Sequence, residues 1–190
     1  MQVPYDGYMT QNWDALFYPK SIAIVGASQR VGSVGYSLVQ NITSTFKGKV
    51  YPIGREAKLR DIADPVDLVV VAVPAPIVST IVQEAGKKGV KAMIIISAGF
   101  KEAGEEGATR EEELVQLAKE YKMTIIGPNC LGVINPEIGM NASFAPDMPS
   151  FGGAAFVSQS GALCTAVIDY AKHLNLGFSK FVSIGNKACV

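Results

Sequence analysis

Histidine and cysteine are scarce in this sequence. His173 is the only histidine, and the three cysteines, Cys130, Cys164 and Cys189, stand far apart. They form no C-x2-C pair and no ligand pattern, so no bound metal is expected. Thiols this sparse point to a reducing, cytoplasmic setting rather than a disulfide-framed secreted domain. Long hydrophobic runs are missing as well. The longest, such as LVVVAVPAP from Leu68, fall far short of the roughly 18–20 residues a membrane span requires, so no membrane partner is expected. The opening MQVPYDGYMTQNWD lacks the charged and apolar regions of a signal peptide. Neither sign of charge dominates, since 17 basic residues balance 17 acidic ones. A nucleic-acid partner is therefore not expected, because such proteins carry a basic excess.

What is present is apolar surface in short, regularly spaced pieces. Of the 190 residues 48% are hydrophobic, enough for one core and part of a second. β-rich runs predict strands at 22–25, 50–53, 68–73, 93–96 and 124–126. Helical stripes lie between them. Val34, Leu38, Ile42 and Phe46 recur at every fourth position; Ile77, Ile81, Val82 and Ala85 stop near Gly86 and Gly89; Leu114, Leu117, Ala118 and Tyr121 follow a glutamate-rich start. This alternation predicts an α/β fold with a Rossmann-like, doubly wound parallel sheet over residues 1–150. An irregular Pro- and Asn-rich stretch, GPNCLGVINPEIGMNASFAPDMPSFGG, closes that domain. The pattern then restarts with a strand at 154–157, a helix from Gly161 to about His173 and a strand at 181–184. Residues 151–190 read as the first βαβ of a second domain. Two strands and a helix cannot cover both faces of a parallel sheet, so more chain is expected after Val190.

Ligands of open α/β sheets bind beyond the carboxyl ends of the strands. The first such loop reads GASQRVGS, from Gly26 through Gly32 to Ser33. Its glycines let backbone approach a phosphate, and Ser33 can cap the next helix. The same residues also suit a tight turn with no ligand. The spacing G-x5-G-x2-G through Gly35 differs from the G-x-G-x2-G of dinucleotide folds. No acid follows the second strand before Glu56, while Lys47, Lys49, Arg55 and Lys58 lie nearby. A free ribose diol is thus disfavoured against a phosphorylated ribose, which NADP and coenzyme A both carry. Pro74, Ala75 and Pro76 offer a stiff apolar wall, or simply a helix start. Ser97–Ala98 and Asn129–Cys130 end the fourth and fifth strands. No histidine precedes Cys130 nearby, so it is read as a small buried thiol rather than a nucleophile.

The ordered set IVGAS…GSVGY, VDLVVVAVPAP, GVKAMIIISAGFKE, IIGPNCLGVIN, VSQSGAL and GFSKFVSIGNKA resembles the NDP-forming acyl-CoA synthetases, over nearly the whole chain. Within them it is most similar to the α part of ADP-forming acetate–CoA ligases, and more distantly to the succinyl-CoA synthetase α subunit. The resemblance implies a coenzyme A-binding domain followed by the start of a flavodoxin-like ligase domain. It implies that Gly26, Ala27, Ser28, Val31, Gly32 and Ser33 cradle the coenzyme A phosphates. Pro74 and Ala75 would lie along the nucleotide, and Ser97, Ala98 and Asn129 would line the path toward the thiol. Ser158, Gln159, Ser160 and Gly161 would set a helix amino end against a phosphoryl group. The family reaction is acyl-CoA + ADP + phosphate ⇌ acid + CoA + ATP, through an acyl phosphate and a phosphohistidine. ATP or ADP, magnesium and an ATP-grasp β part are implied for the full enzyme, along with oligomeric assembly.

Two departures qualify that picture. His173 lies twelve residues beyond Gly161, about 18 Å along one helix, so it cannot be the phosphohistidine; that residue is expected past Val190 and the segment alone should be inactive. Only about a dozen residues join strands two and three, near the minimum for a parallel crossover, so family residues are expected to be missing between Ile53 and Gly54. Cys164 and Thr165 are candidates to face an acyl pocket. Two other readings stay open: an acyl-CoA-sensing module of an acetyltransferase, and an NADP-dependent reductase, which lacks an acid–base pair here.

Overall fold

The computed structural model describes residues 12–189. Strands β1 (Ser21–Val25), β2 (Lys49–Ile53), β3 (Leu68–Val71), β4 (Ala92–Ile95) and β5 (Thr124–Ile126) form one all-parallel sheet in the order β2-β1-β3-β4-β5. The direction of winding reverses between β1 and β3, which opens a crevice at their carboxyl ends.

Side chains alternate across each strand with a period of two, and both faces are covered. Ala23, Val25, Val69, Val71, Met93 and Ile95 pack under α3 (Val78–Lys88) and α4 (Glu105–Glu120). Ile22, Ile24, Leu68, Val70 and Ile94 pack under α1 (Trp13–Phe17) and α2 (Val34–Thr45). Burial on both sides is why β1, β3 and β4 read as unbroken apolar runs. Residues 54–67 join β2 to β3 with a single 3-10 turn, Leu59–Asp61, whose Leu59 is buried.

The stretch expected to be irregular is instead ordered. It contains β6 (Gly132–Asn135) and β7 (Met140–Ser143), an antiparallel hairpin. Asn135, Asn141 and Ser143 of its strands are buried with partners rather than solvated. Asn135 donates through Nδ2 to the Phe17 carbonyl at 2.7 Å, and Ser143 donates through Oγ to Asn141 Oδ1 at 2.6 Å. Asn41 of α2 donates to the carbonyls of Ser143 and Ala145, both at 2.8 Å.

The hairpin joins β8 (Phe151–Ser158) and β9 (Phe178–Ser183) in a second sheet ordered β7-β6-β9-β8. β8 and β9 are parallel, linked by α5 (Gly161–His173), while β6 runs antiparallel to β9. Val133, Ala142 and Val182 of this sheet pack into the α2 side of the first core. Ile134, Phe178 and Phe181 pack against Cys164, Ile168 and Ala171 of α5. No helix among the described residues is long and apolar enough to cross a membrane.

Candidate functional site

Two glycines shape the turn after β1. Gly26 has φ +97°, and a Cβ there would lie 2.3 Å from the Ala72 carbonyl oxygen. A Cβ on Gly35 would lie 2.0 Å from the Gly26 carbonyl oxygen. The loop is therefore clamped between β3 and the first turn of α2, a packing that tolerates only glycine. The N–H groups of Gly26 and Ala27 both donate to the Ile53 carbonyl, at 3.0 and 3.1 Å. Ser28 Oγ accepts from Arg30 N–H at 3.1 Å. Ser33 caps α2: its hydroxyl accepts from Tyr36 N–H at 3.3 Å and donates to the Arg30 carbonyl at 2.7 Å. What the loop can offer an anion is then the backbone of Ser28, Val31 and Gly32, with the first-turn amides of Val34 and Gly35. Val31 is 77% exposed, so its side chain is available to a ligand at no burial cost to the fold.

The basic residues divide. Arg55 and Lys58 follow the carboxyl end of β2 and are exposed. Lys47 precedes that strand and Lys49 opens it, at the opposite edge of the sheet. Lys49 is taken by Asp64 at 2.7 Å, and Tyr51 hydroxyl donates to the same carboxylate at 2.6 Å. Lys47 and Lys49 thus leave the phosphate-binding set.

The loops after β3, β4 and β5 are tied together. Ser97 Oγ accepts from Val73 N–H at 3.2 Å, and Ser97 carbonyl accepts from Asn129 N–H at 2.9 Å. Pro74 leads the 3-10 turn Ala75–Ile77, with Ala75 buried against Gly99. Gly127–Pro128 is a cis peptide and Asn129 has a left-handed φ of 56°. Cys130 is buried, and burial pushes its thiol up to about 12. It points at the Ile95 carbonyl at 3.3 Å and offers no thiolate.

A network that the sequence did not announce braces these loops from the far end of the chain. Asn186, in the turn after β9, donates its backbone N–H to the Pro128 carbonyl at 2.9 Å. Its Oδ1 accepts from Asn129 Nδ2 at 3.2 Å, and its Nδ2 donates to Glu102 at 2.6 Å and to Glu111 at 2.8 Å. Glu102 in turn accepts from Gly99 and Phe100 N–H at 2.6 and 3.2 Å. Burial works to raise the Glu102 carboxyl, but the bonds from Asn186, Gly99 and Phe100 outweigh it and hold it below the usual range.

Ser160 caps α5, accepting from Leu163 N–H at 3.2 Å, while Ser158 Oγ accepts from Ser160 N–H at 3.1 Å. The Gly161 and Ala162 amides remain at the positive end of the helix dipole. His173 sits exposed at the other end of α5. Cys164 is fully buried among Ile168 and Phe181, so it does not face a pocket; Thr165 donates to the Ala162 carbonyl at 2.8 Å.

One cavity of about 500 Å³ gathers these parts. Ser97, Ala98 and Asn129 from the first sheet line it together with Gln159 and Gly161 at the start of α5. Val34, at the start of α2, lines it too, so two helix amino ends converge there. Gly26–Gly32, Ser33, Pro74, Ala75 and Ser160 lie on the adjoining loops and turns, and Ser158 at the end of β8, rather than in its wall. Sequence reasoning missed Phe144, which lines the cavity and is 38% exposed, because its Pro- and Asn-rich stretch read as irregular.

Comparison with known proteins follows the same division. The CoA binding domain family model matches residues 20–136, and the succinyl-CoA ligase like flavodoxin domain model matches 151–190. An ADP-forming acetate–CoA ligase of Methanocaldococcus jannaschii is 46% identical over 181 aligned residues, covering 90% of this chain and 25% of that protein. The α subunit of ADP-forming acetate–CoA ligase I from Pyrococcus furiosus is 42% identical, covering 92% and 41%. The solved structure of a dinucleotide forming acetyl-coenzyme A synthetase from Candidatus Korarchaeum cryptofilum, in complex with phosphate and ADP, superposes with a TM-score of 0.88 at 41% identity, covering 94% and 40%. The chain thus spans between a quarter and two fifths of the length of these relatives.

Proposed function

The chain belongs to the CoA-binding domain family, continuing into a succinyl-CoA-ligase-like flavodoxin domain, and from that premise we propose that it is the coenzyme A-binding portion of an ADP-forming acyl-CoA synthetase. The observation that carries this reading is the shared cavity. Its wall joins the loops after β4 and β5 to the amino end of α5. A thiol carried along Ser97, Ala98 and Asn129 would meet an acyl phosphate held at Gly161 and Ala162. Amides at a helix start stabilise a phosphoryl group without reorganising. The glycine loop, with Arg30 and Arg55 exposed beside it, suits the phosphorylated nucleotide end.

The chemistry of the whole protein follows as part of the same proposal. Acyl-CoA, ADP and phosphate would give the acid, CoA and ATP. The phosphohistidine would come from outside this segment, since His173 stands at the wrong end of α5. An ATP-grasp β part would bind ATP or ADP with magnesium, and the α subunit of the P. furiosus relative supports a separate partner of that kind. We place the domain boundary at 150, between β7 and β8, and the protein in the cytoplasm, where its three free, buried thiols would stay reduced. The short β2–β3 crossover is where we place the extra residues of the relatives. Alignment to the M. jannaschii protein runs over 181 positions against 90% of this chain's 190 residues.

Titration calorimetry tests the core of the reading. The chain should bind coenzyme A with one-to-one stoichiometry and show no ligase turnover alone. Binding of NADPH with no binding of coenzyme A overturns it.

A further inference from the structure

We propose that Asn186 is a positioning residue for the coenzyme A site, a clamp through which the turn after β9 holds Asn129 and the β4–α4 loop in their binding geometry. The proposal rests on the coenzyme A reading above. The hydrogen bonds of Asn186 reach the cavity wall at Asn129, and it sits where three strand-end segments meet. Its amide is fully used: Oδ1 accepts from Asn129, and the two hydrogens of Nδ2 go to Glu102 and Glu111. Its backbone N–H holds the Pro128 carbonyl, and Ala188 N–H holds that of Gly127 at 3.2 Å. Glu102 passes the constraint on through its bonds to Gly99 and Phe100, and Glu111, which is 8% exposed, accepts from Lys101 N–H at 3.3 Å. Asn129 has a left-handed backbone, a conformation asparagine accepts more readily than other side chains, and its Nδ2 bond to Asn186 fixes where that turn points its amide.

Only a neutral amide fits this place. It must accept once and donate twice to two carboxylates. Aspartate offers the acceptor but sets a third negative charge between Glu102 and Glu111. A loop that occupies its competent geometry for only a fraction of the time binds its ligand more weakly by that fraction.

The test measures coenzyme A affinity by calorimetry and melting temperature in parallel. Asn186→Asp should bind coenzyme A about tenfold or more weakly, the scale set by leaving the buried Glu111 carboxylate without its amide partner and facing a like charge. Adding Glu102→Gln should recover most of the loss. The amide so introduced keeps a carbonyl for Gly99 and Phe100 and gains an N–H for the new carboxylate. Asn186→Ser, which keeps the backbone bonds and drops the side-chain ones, should lose affinity without recovery by Glu102→Gln. Wild-type affinity in Asn186→Asp or Asn186→Ser overturns the proposal. So does a Glu102→Gln/Asn186→Asp protein whose melting temperature recovers while its affinity does not, because the clamp then serves stability alone. Failure of the unaltered chain to bind coenzyme A overturns instead the reading on which the proposal rests.

Discussion

Gly35→Ala should separate packing from helix propensity at the glycine loop after β1. Alanine in a helix is favoured over glycine by up to about 1 kcal/mol, so propensity alone predicts a more stable protein. The structure predicts the reverse. The added Cβ would stand 2.0 Å from the Gly26 carbonyl oxygen, where ordinary contact begins at 3.4 Å. The loop cannot retreat, because Gly26 itself is pressed against Ala72 and bonded to Ile53. Helix α2 must shift instead, carrying its buried Leu38 and Ile42 out of register with Ile22 and Ile24 in the core. Overpacking of this kind costs about 1–3 kcal/mol. For a chain of this size each kcal/mol moves the melting temperature by about 2–4 °C. Calorimetric melting should therefore show a fall of about 2–12 °C, with weaker coenzyme A binding as the loop tilts. Gly153→Ala is the control. No atom lies within 4 Å of its added Cβ, and replacing a strand glycine gains up to about 1 kcal/mol. A melting temperature of Gly35→Ala equal to or above that of the unaltered chain refutes the close approach.

Three further outcomes follow from the same geometry. Coenzyme A at about a hundred times its dissociation constant should stabilise the chain by about 2.7 kcal/mol, a thermal shift of about 5–10 °C; no shift at saturation argues against a site. Ser160→Ala removes the α5 cap and should cost about 1 kcal/mol in urea unfolding, while leaving the Gly26–Ser33 loop and the melting of its neighbours unchanged by hydrogen exchange. Cys130 rises from 9.0 to about 12 on burial. Above about pH 9 the unfolded chain releases a proton that the folded chain keeps, so stability is intact below that pH and declines as pH rises toward about 12. The decline is about 1.4 kcal/mol per pH unit for this thiol. Urea midpoints between about pH 8 and about pH 10.5 should fall more steeply in the unaltered chain than in Cys130→Ala; equal slopes refute the buried-thiol assignment.

The parallel sheet was legible because its chemistry is local. Leu68–Val71 could be nothing but a strand buried on two faces, and the four-residue stripe from Val34 matched α2 with Ser33 as its cap. The β6–β7 hairpin was not legible. Asn135, Pro136, Gly139 and Asn141 carry every mark of a solvated linker, and only tertiary partners reveal why the segment is ordered: Phe17 from α1, Asn41 from α2. Strand β9 begins at Phe178 rather than near Phe181 because Phe178 packs edge-on to Phe181 and pairs with β8, a contact across sequence that no period announces. The Asn186 network belongs to the same class. Glu102 and Glu111 looked like surface acids on a helix start, and nothing in their spacing names an asparagine 75 residues away.

That missed hairpin changes how the two halves of the chain relate. Had residues 127–153 been a linker, the segment before it and the segment after it would meet only at a flexible joint. Instead Val133 and Ala142 share a core with Ile24 and Val70, while β6 pairs with β9. The hairpin thus belongs to both cores at once. The cavity lies at this junction, with Asn129 just before β6 and Gly161 just after β8. Two loops held to fixed sheets cannot drift apart without breaking one of those cores. On the proposed function, a nucleotide-bearing thiol on one side and a phosphoryl group on the other would therefore meet across a distance set by the fold, which is what transfer between two separately bound groups requires.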